Sequence, residues 1–282
     1  MEIGLGLPAA VPGARADQIV EWARRAEARG FSSLSALDRL GYDNYEPLVS
    51  LAAAAAVTER ITLATSVLLL PLHSSAALLA KQVASLDRLS GGRLTLGLGV
   101  GAREDDYRLA GTPFSDRGRR FEVLLQQMQD AWAGEDVGPE PPKGPPSILI
   151  GGRSERAFDR AARFGDGWIA GSADVDTFRR GREMLRAAWA RHGRVGAPRA
   201  LATSYVALGP HADRRAGDHL RHYYAFTGDR ADAIARSALT TPDAVRAVVA
   251  ELAEAGCDEL VLHPCDPDPG QVDLLADVLM HA

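Results

Sequence analysis

Short apolar runs and helical stretches alternate along this chain from one end to the other, and that alternation constrains the fold more than any single motif. The apolar runs read as strands at Ile3–Leu7, Phe31–Leu37, Ile61–Leu70, Leu94–Leu98, Ser147–Ile150, Gly167–Ala170, Ala200–Leu208 and Glu259–His263. Each is brief, rich in Val, Ile and Leu, and followed by text of helical period. In Asp17–Arg29, for example, Ile19, Val20, Ala23, Ala26 and Glu27 are read on one inward stripe, and Gly30 ends the helix. Helices are also read at Glu46–Val57, Ala76–Leu89, Ser115–Ala133, Ser154–Phe164, Asp176–His192 and Gln271–Met280, with helical text broken near Gly228 and Pro242 filling Ala212–Ala255. Eight such units over 282 residues match the size of a (β/α)8 TIM barrel, an α/β fold here spanning residues 1–282 as one domain. A doubly wound sheet is the main alternative, with the Pro/Gly-rich connection Gly134–Pro146 as its linker.

Composition narrows the function. The hydrophobic fraction of 46% fills a large core, and the net charge of −5 speaks against a nucleic-acid surface. Only Lys81 and Lys143 are lysines, so arginine makes up the rest of the basic residues. The N-terminus MEIGLGLPAAVPG lacks the basic and apolar regions of a signal peptide, and no apolar run approaches a membrane span. Cys257 and Cys265 do not form a C-x-x-C pair and fit a reduced, cytoplasmic setting as structural residues. No His/Cys/carboxylate set has metal-site spacing, and no nucleophilic triad motif or dinucleotide fingerprint appears.

In a barrel, chemistry gathers at the C-terminal ends of the strands. That rule nominates Leu7-Pro8, Asp38-Arg39, Thr65-Ser66-Val67, Gly99–Ala102, Gly151–Ser154, Gly171-Ser172, Gly209 and His263-Pro264. Two of these ends are glycine pairs. Gly99-Val100-Gly101 and Gly151-Gly152 each follow a strand, where missing side chains let backbone approach a ligand. The second opens a helix, whose free N–H groups and dipole favour an anion; Ser154 can cap it and Arg153 can neutralise charge. Together they suggest a large, flat, phosphate-bearing ligand.

Five stretches between Gly30 and Gly171 give the chain a family likeness: GFSSLSALDR, EPLVSLAAAAAVTERITLATSVLLLP, LAKQVASLDRLSGGRLTLGLGVG, RGRRFE and ILIGGRSERAFDRAARFGDGWIAG. In that order they resemble the luciferase-like flavin-dependent oxidoreductases. The resemblance implies a TIM barrel that binds FMN or the deazaflavin coenzyme F420 and that dimerises. It places Gly151, Gly152, Arg153 and Ser154 on the cofactor phosphate, with Gly99 and Gly101 beside the cofactor. It also implies a non-proline cis peptide at Ser66-Val67, bulging against the flavin ring. Relatives often carry Asp then His, facing the reactive edge of the flavin ring, where this chain has Asp38 and Arg39, which makes these two the catalytic candidates there. Arginine cannot exchange protons near neutral pH, but it can hold an anion; the bland alternative is an Asp38–Arg39 ion pair. Sugar-phosphate dehydrogenases of the superfamily carry a catalytic glutamate where Ala102 stands, which argues against that reaction here. In the same loop Asp106 is read either as a polar group at the mouth or as a tie that holds the loop down. His73 is a candidate proton donor, and His219, His222 and Tyr223 a candidate lid.

The reaction expected is oxygen insertion with reduced FMN, supplied by a separate flavin reductase, or hydride transfer with F420, on a small organic substrate. Two other classes stay open on the residues alone. One is a non-redox barrel enzyme acting on a phosphate-bearing substrate, which would need a Schiff-base lysine, a carboxylate base or a metal. The other is a flavin-binding protein with little catalysis.

Overall fold

Parallel strands buried on both faces need a cover of helices, and this chain supplies one after nearly every strand. The computed structural model describes residues 1–134, 137–172 and 174–280; Glu135 and Asp136, within the Gly134–Pro146 connection, lie outside them. The strands are β1 (Glu2–Gly6), β2 (Ser33–Ala36), β3 (Thr62–Thr65), β4 (Leu68–Leu69), β5 (Leu94–Gly99), β6 (Ser147–Gly151), β7 (Gly167–Ala170), β8 (Arg199–Val206) and β9 (Glu259–Pro264). All pair in parallel, in the order β3-β2-β1-β9-β8-β7-β6-β5-β4, and a β3–β5 pairing closes the ring. β3 and β4 are two halves of one interrupted strand. The fold is therefore a closed (β/α)8 barrel, and the doubly wound alternative, with its linker, is excluded.

The helices are α1 (Ala16–Ala28), α2 (Pro47–Ala55), α3 (Ala76–Leu89), α4 (Glu104–Leu109), α5 (Arg117–Ala133), α6 (Glu155–Phe164), α7 (Val175–Arg191), α8 (Ala212–Tyr223), α9 (Arg230–Arg236), α10 (Pro242–Glu254) and α11 (Gly270–Leu279). Their inward faces pack with the strands into one large apolar core. On α1 the buried stripe is Ile19, Trp22, Ala23 and Ala26; Val20 sits at its edge. Glu27 turns out and accepts the backbone N–H groups of Glu59, Arg60 and Ile61, tying α1 to the entry of β3. α4 was not expected: six residues are too few to show a helical period.

At the N-terminal face, Arg93 spends its fork on carbonyl oxygens of Ser90 (2.6 Å), Ile61 (2.7 Å), Thr58 (2.9 Å) and Ala55 (3.3 Å). These include orphan carbonyls just past α2, which a planar guanidinium can serve together and an ammonium cannot. Arg93→Lys is expected to lower stability by about 2 kcal/mol, read from urea unfolding.

Candidate active site

The interruption of the third strand organises the C-terminal face. The Ser66–Val67 peptide is cis, as the resemblance implied. Ser66 N–H donates to Ala36 O at 2.9 Å, and its hydroxyl turns into the barrel. Val67 lies the other way, across the ends of β5 and β6. A Cβ placed on Gly99 or on Gly151 would come within 2.5 or 2.9 Å of a Val67 methyl carbon. Glycine at both positions leaves room for the Val67 side chain beside them. The result is an apolar ledge at the barrel mouth, continued below by Leu149, Ile169 and Leu201. Gly101, at φ +69°, sits against the Leu69 side chain.

Asp38 follows β2 and reaches the same interruption. Its Oδ2 accepts the Leu69 N–H at 2.8 Å, and no donor among the described residues takes Oδ1. Burial pushes this carboxyl up to about 7, against the pull of the Leu69 N–H; the carboxylates of Glu46 and Asp106 add to the rise.

Arg39 does not pair with Asp38. Its guanidinium bonds Asp106 (2.8 Å), Asp105 (2.9 Å) and the Gly41 carbonyl (3.2 Å). Its side chain is 5% exposed and that of Asp106 1%. Asp106 also accepts the N–H groups of Leu40 and Gly41. The two acids stand in the first turn of α4, so this pair fastens the β2 loop to the β5 loop. The tie-down reading of Asp106 is correct, and most of the Arg39 fork is committed to it.

The open end of α6 forms a second part of the site. Gly152 takes φ +129°, which an L side chain rarely adopts, and Gly152 through Arg156 are exposed. Ser154 caps the helix by accepting Ala157 N–H at 3.3 Å. Arg153 bonds the carbonyls of Gly171 and Ser172, bridging the ends of β6 and β7. A cavity of about 600 Å3 lies between the starts of α5 and α6, lined by Val100, Ser115, Arg117, Ser154 and Arg156 among others. Arg156 makes no ion pair among the described residues.

His73 is half-buried, burial lowers its pKa, and its ring has no hydrogen-bond partner among the described residues. Arg120, from the RGRRFE stretch, holds the backbone there through Pro71 O (2.9 Å) and His73 O (2.7 Å). That is a structural task.

Over the mouth, α8 and the turn after it bring Tyr223, Tyr224 and Phe226 against Arg103 from the β5 loop. The guanidinium carbon is 4.4 Å from the Tyr223 and Phe226 ring centroids. Tyr42 from the β2 loop bonds His222 Nδ1 at 2.9 Å, and Tyr224 bonds Tyr205 at the end of β8. His219 is buried and held near 4 by desolvation, so it is a neutral packing residue of this cap.

His263, nominated from sequence only as the end of an apolar run and given no role there, stands at the centre: it lies on β9, and its Nε2 is 3.1 Å from Ser66 Oγ. Lys81 and Lys143 bond the carbonyls of Gly138 and Gly92, away from the strand ends, so neither serves as a Schiff-base lysine. No helix among the described residues is long and apolar enough to cross a membrane. No three described His, Cys, Asp or Glu residues cluster as a metal site.

One mouth of the closed parallel barrel thus brings together an apolar ledge, an open helix start and a half-buried carboxyl. The family model for luciferase-like monooxygenases matches residues 1–267, and the chain belongs to that family. An uncharacterized protein of Mycobacterium tuberculosis is 36% identical over 172 residues, covering 56% of this chain and 60% of that protein. The F420-dependent glucose-6-phosphate dehydrogenase of Beutenbergia cavernae is 33% identical over 181 residues, 56% of this chain and 52% of that enzyme. The chain thus spans little more than half the length of these relatives. Among solved structures, an F420-dependent secondary alcohol dehydrogenase with an F420–acetone adduct superposes with a TM-score of 0.83, at 16% identity, covering 99% of this chain and 98% of that one. The oxygenating constituent of 3,6-diketocamphane monooxygenase from Pseudomonas putida, in complex with FMN, gives 0.75 at 21% identity, covering 99% and 97%. These two likenesses show a shared fold.

Proposed function

We propose that the chain is an oxidoreductase that binds FMN or F420 at the C-terminal mouth of the barrel and acts on a small organic substrate. The observation that carries this is the Val67 ledge, flanked by the exposed start of α6 on one side and the Asp38 carboxyl on the other. A flat ring with a phosphate-bearing tail fits that sequence of surfaces. Val67 would back the ring, while Gly152, Arg153 and Ser154, with Arg156 nearby, would receive the phosphate. When bound, the cofactor supplies the redox chemistry: oxygen insertion if it is reduced FMN, hydride transfer if it is F420.

The protein's own part is orientation, exclusion of water and proton handling. The Arg103–Tyr223–Phe226 cap closes the mouth and keeps solvent from the reacting atoms. Asp38 holds or releases a proton at Oδ1 near neutral pH, the range in which a general acid or base works best. Ala102 continues to speak against sugar-phosphate oxidation, despite the dehydrogenase among the relatives. Use of FMN would require a separate reductase, and a homodimer is the assembly proposed by family likeness.

Parallel titrations of the purified protein with FMN and F420, followed by cofactor fluorescence, test this. One of the two is expected to bind in the low micromolar range or tighter, and Ser154→Ala to weaken it by about tenfold. Binding of neither at high micromolar concentration would remove the proposal and favour a non-redox barrel enzyme.

A further inference from the structure

The barrel axis carries polar side chains for which the proposed function has no use. Interiors of such barrels are ordinarily filled by branched apolar residues. Here Ser35 from β2, Ser66 from the end of β3 and His263 from β9 converge, all buried. Ser66 Oγ is bonded on one side to Ser35 Oγ and on the other faces His263 Nε2 at 3.1 Å. Beneath them Ser33, Thr65, Thr95 and Glu259 line a cavity of about 10 Å3, room for one water.

His263 is 2% exposed, and its Nδ1 has no partner. Gly6 makes its place: a Cβ there would lie 2.3 Å from Nδ1. An orphaned N–H is rarer than an orphaned acceptor, so the proton belongs on Nε2, which donates to Ser66, and Ser66 donates to Ser35. Burial holds the imidazole near 4, and the Tyr205 ring, 5.9 Å away, adds no charge, so the chain stays neutral through the physiological range. A space-filling residue could be apolar and avoid the orphan. What the histidine adds is a fixed Ser66. Ser66 N–H on Ala36 O and Leu69 N–H on Asp38 hold the interruption at its backbone, and the Ser66 Oγ contacts with His263 and Ser35 hold it from inside the barrel.

We propose that His263 is a positioning residue: it anchors the Ser66 hydroxyl from within the barrel and so sets the Val67 ledge on which the cofactor ring is held. This rests on the reading that the ledge backs FMN or F420. The test compares wild type, His263→Leu, His263→Gln and Ser66→Ala by affinity for whichever cofactor wild type binds, by the absorption spectrum of the bound cofactor, and by apo melting temperature. His263→Leu is expected to bind about tenfold more weakly and to shift the bound spectrum. Its apo melting temperature should not fall, because the orphaned Nδ1 is gone. His263→Gln, whose amide N–H can reach Ser66, should recover most of the affinity, and Ser66→Ala should reproduce the loss. Unchanged affinity and spectrum in His263→Leu, or in Ser66→Ala if the leucine variant fails to fold, overturns the proposal while leaving the cofactor reading intact. Failure of wild type to bind either cofactor overturns both.

Discussion

Asp38→Asn is expected to melt well above wild type at pH 8 and to match it near pH 4. The native carboxyl is pushed up to about 7 by burial, whereas in an unfolded chain an aspartate titrates near about 3.9. Between those values the unfolded chain has released its proton and the native protein still holds one. Wild-type stability therefore falls as pH rises from about 4 to about 7, and is level above that range. The full shift corresponds to a ceiling of about 4 kcal/mol, and the side chain's residual solvent contact trims it toward ~2. For a protein of this size that is roughly 3–7 °C in melting temperature. The asparagine keeps an oxygen for the Leu69 N–H and carries no charge to bury. If both proteins show the same pH slope between pH 4 and pH 8, Asp38 is an ordinary exposed carboxylate and its role as a proton group fails. The same variant should lower turnover by about 100-fold on whatever substrate is identified, because the exchangeable proton is lost.

Arg39→Met is expected to cost about 3–5 kcal/mol in urea unfolding, with little of that loss attributable to chemistry at the ring. The reason is Asp106, 1% exposed, which the change would leave buried without its cation. Arg39→Met/Asp106→Asn should be more stable than Arg39→Met alone, since the uncompensated charge is then gone too. Normal stability in Arg39→Met together with lost turnover would reverse this reading, and place the guanidinium in the chemistry as the family position first suggested.

These two residues show how much of the site could be read from sequence. Asp38 and Arg39 were found because they end an apolar strand, and a barrel directs strand ends to one face. Their roles were not found. The partners of Arg39 lie 66 and 67 residues away, inside a helix too short to have a detectable period. The glycines at 99 and 151 were likewise legible, but their reason was not. Only the folded barrel shows Val67 from another strand lying across both. His263 lies 197 residues from Ser66, and nothing local to either announces the contact.

By itself the sequence determined the principal strands and helices and their alternation, though not the short α4 or the break between β3 and β4. Apolar period, Ser and Asp caps and glycine breaks act over a few residues and are written where they act. Alternation at this length in turn implied the barrel. Tertiary structure alone decided which side chains meet: Arg39 with Asp106, Ser66 with His263, Val67 over two glycines. Closure of the sheet sets the register of every strand against its neighbours. That register converts residues far apart along the chain into contacts of about 3 Å, the range in which hydrogen bonds and ion pairs act.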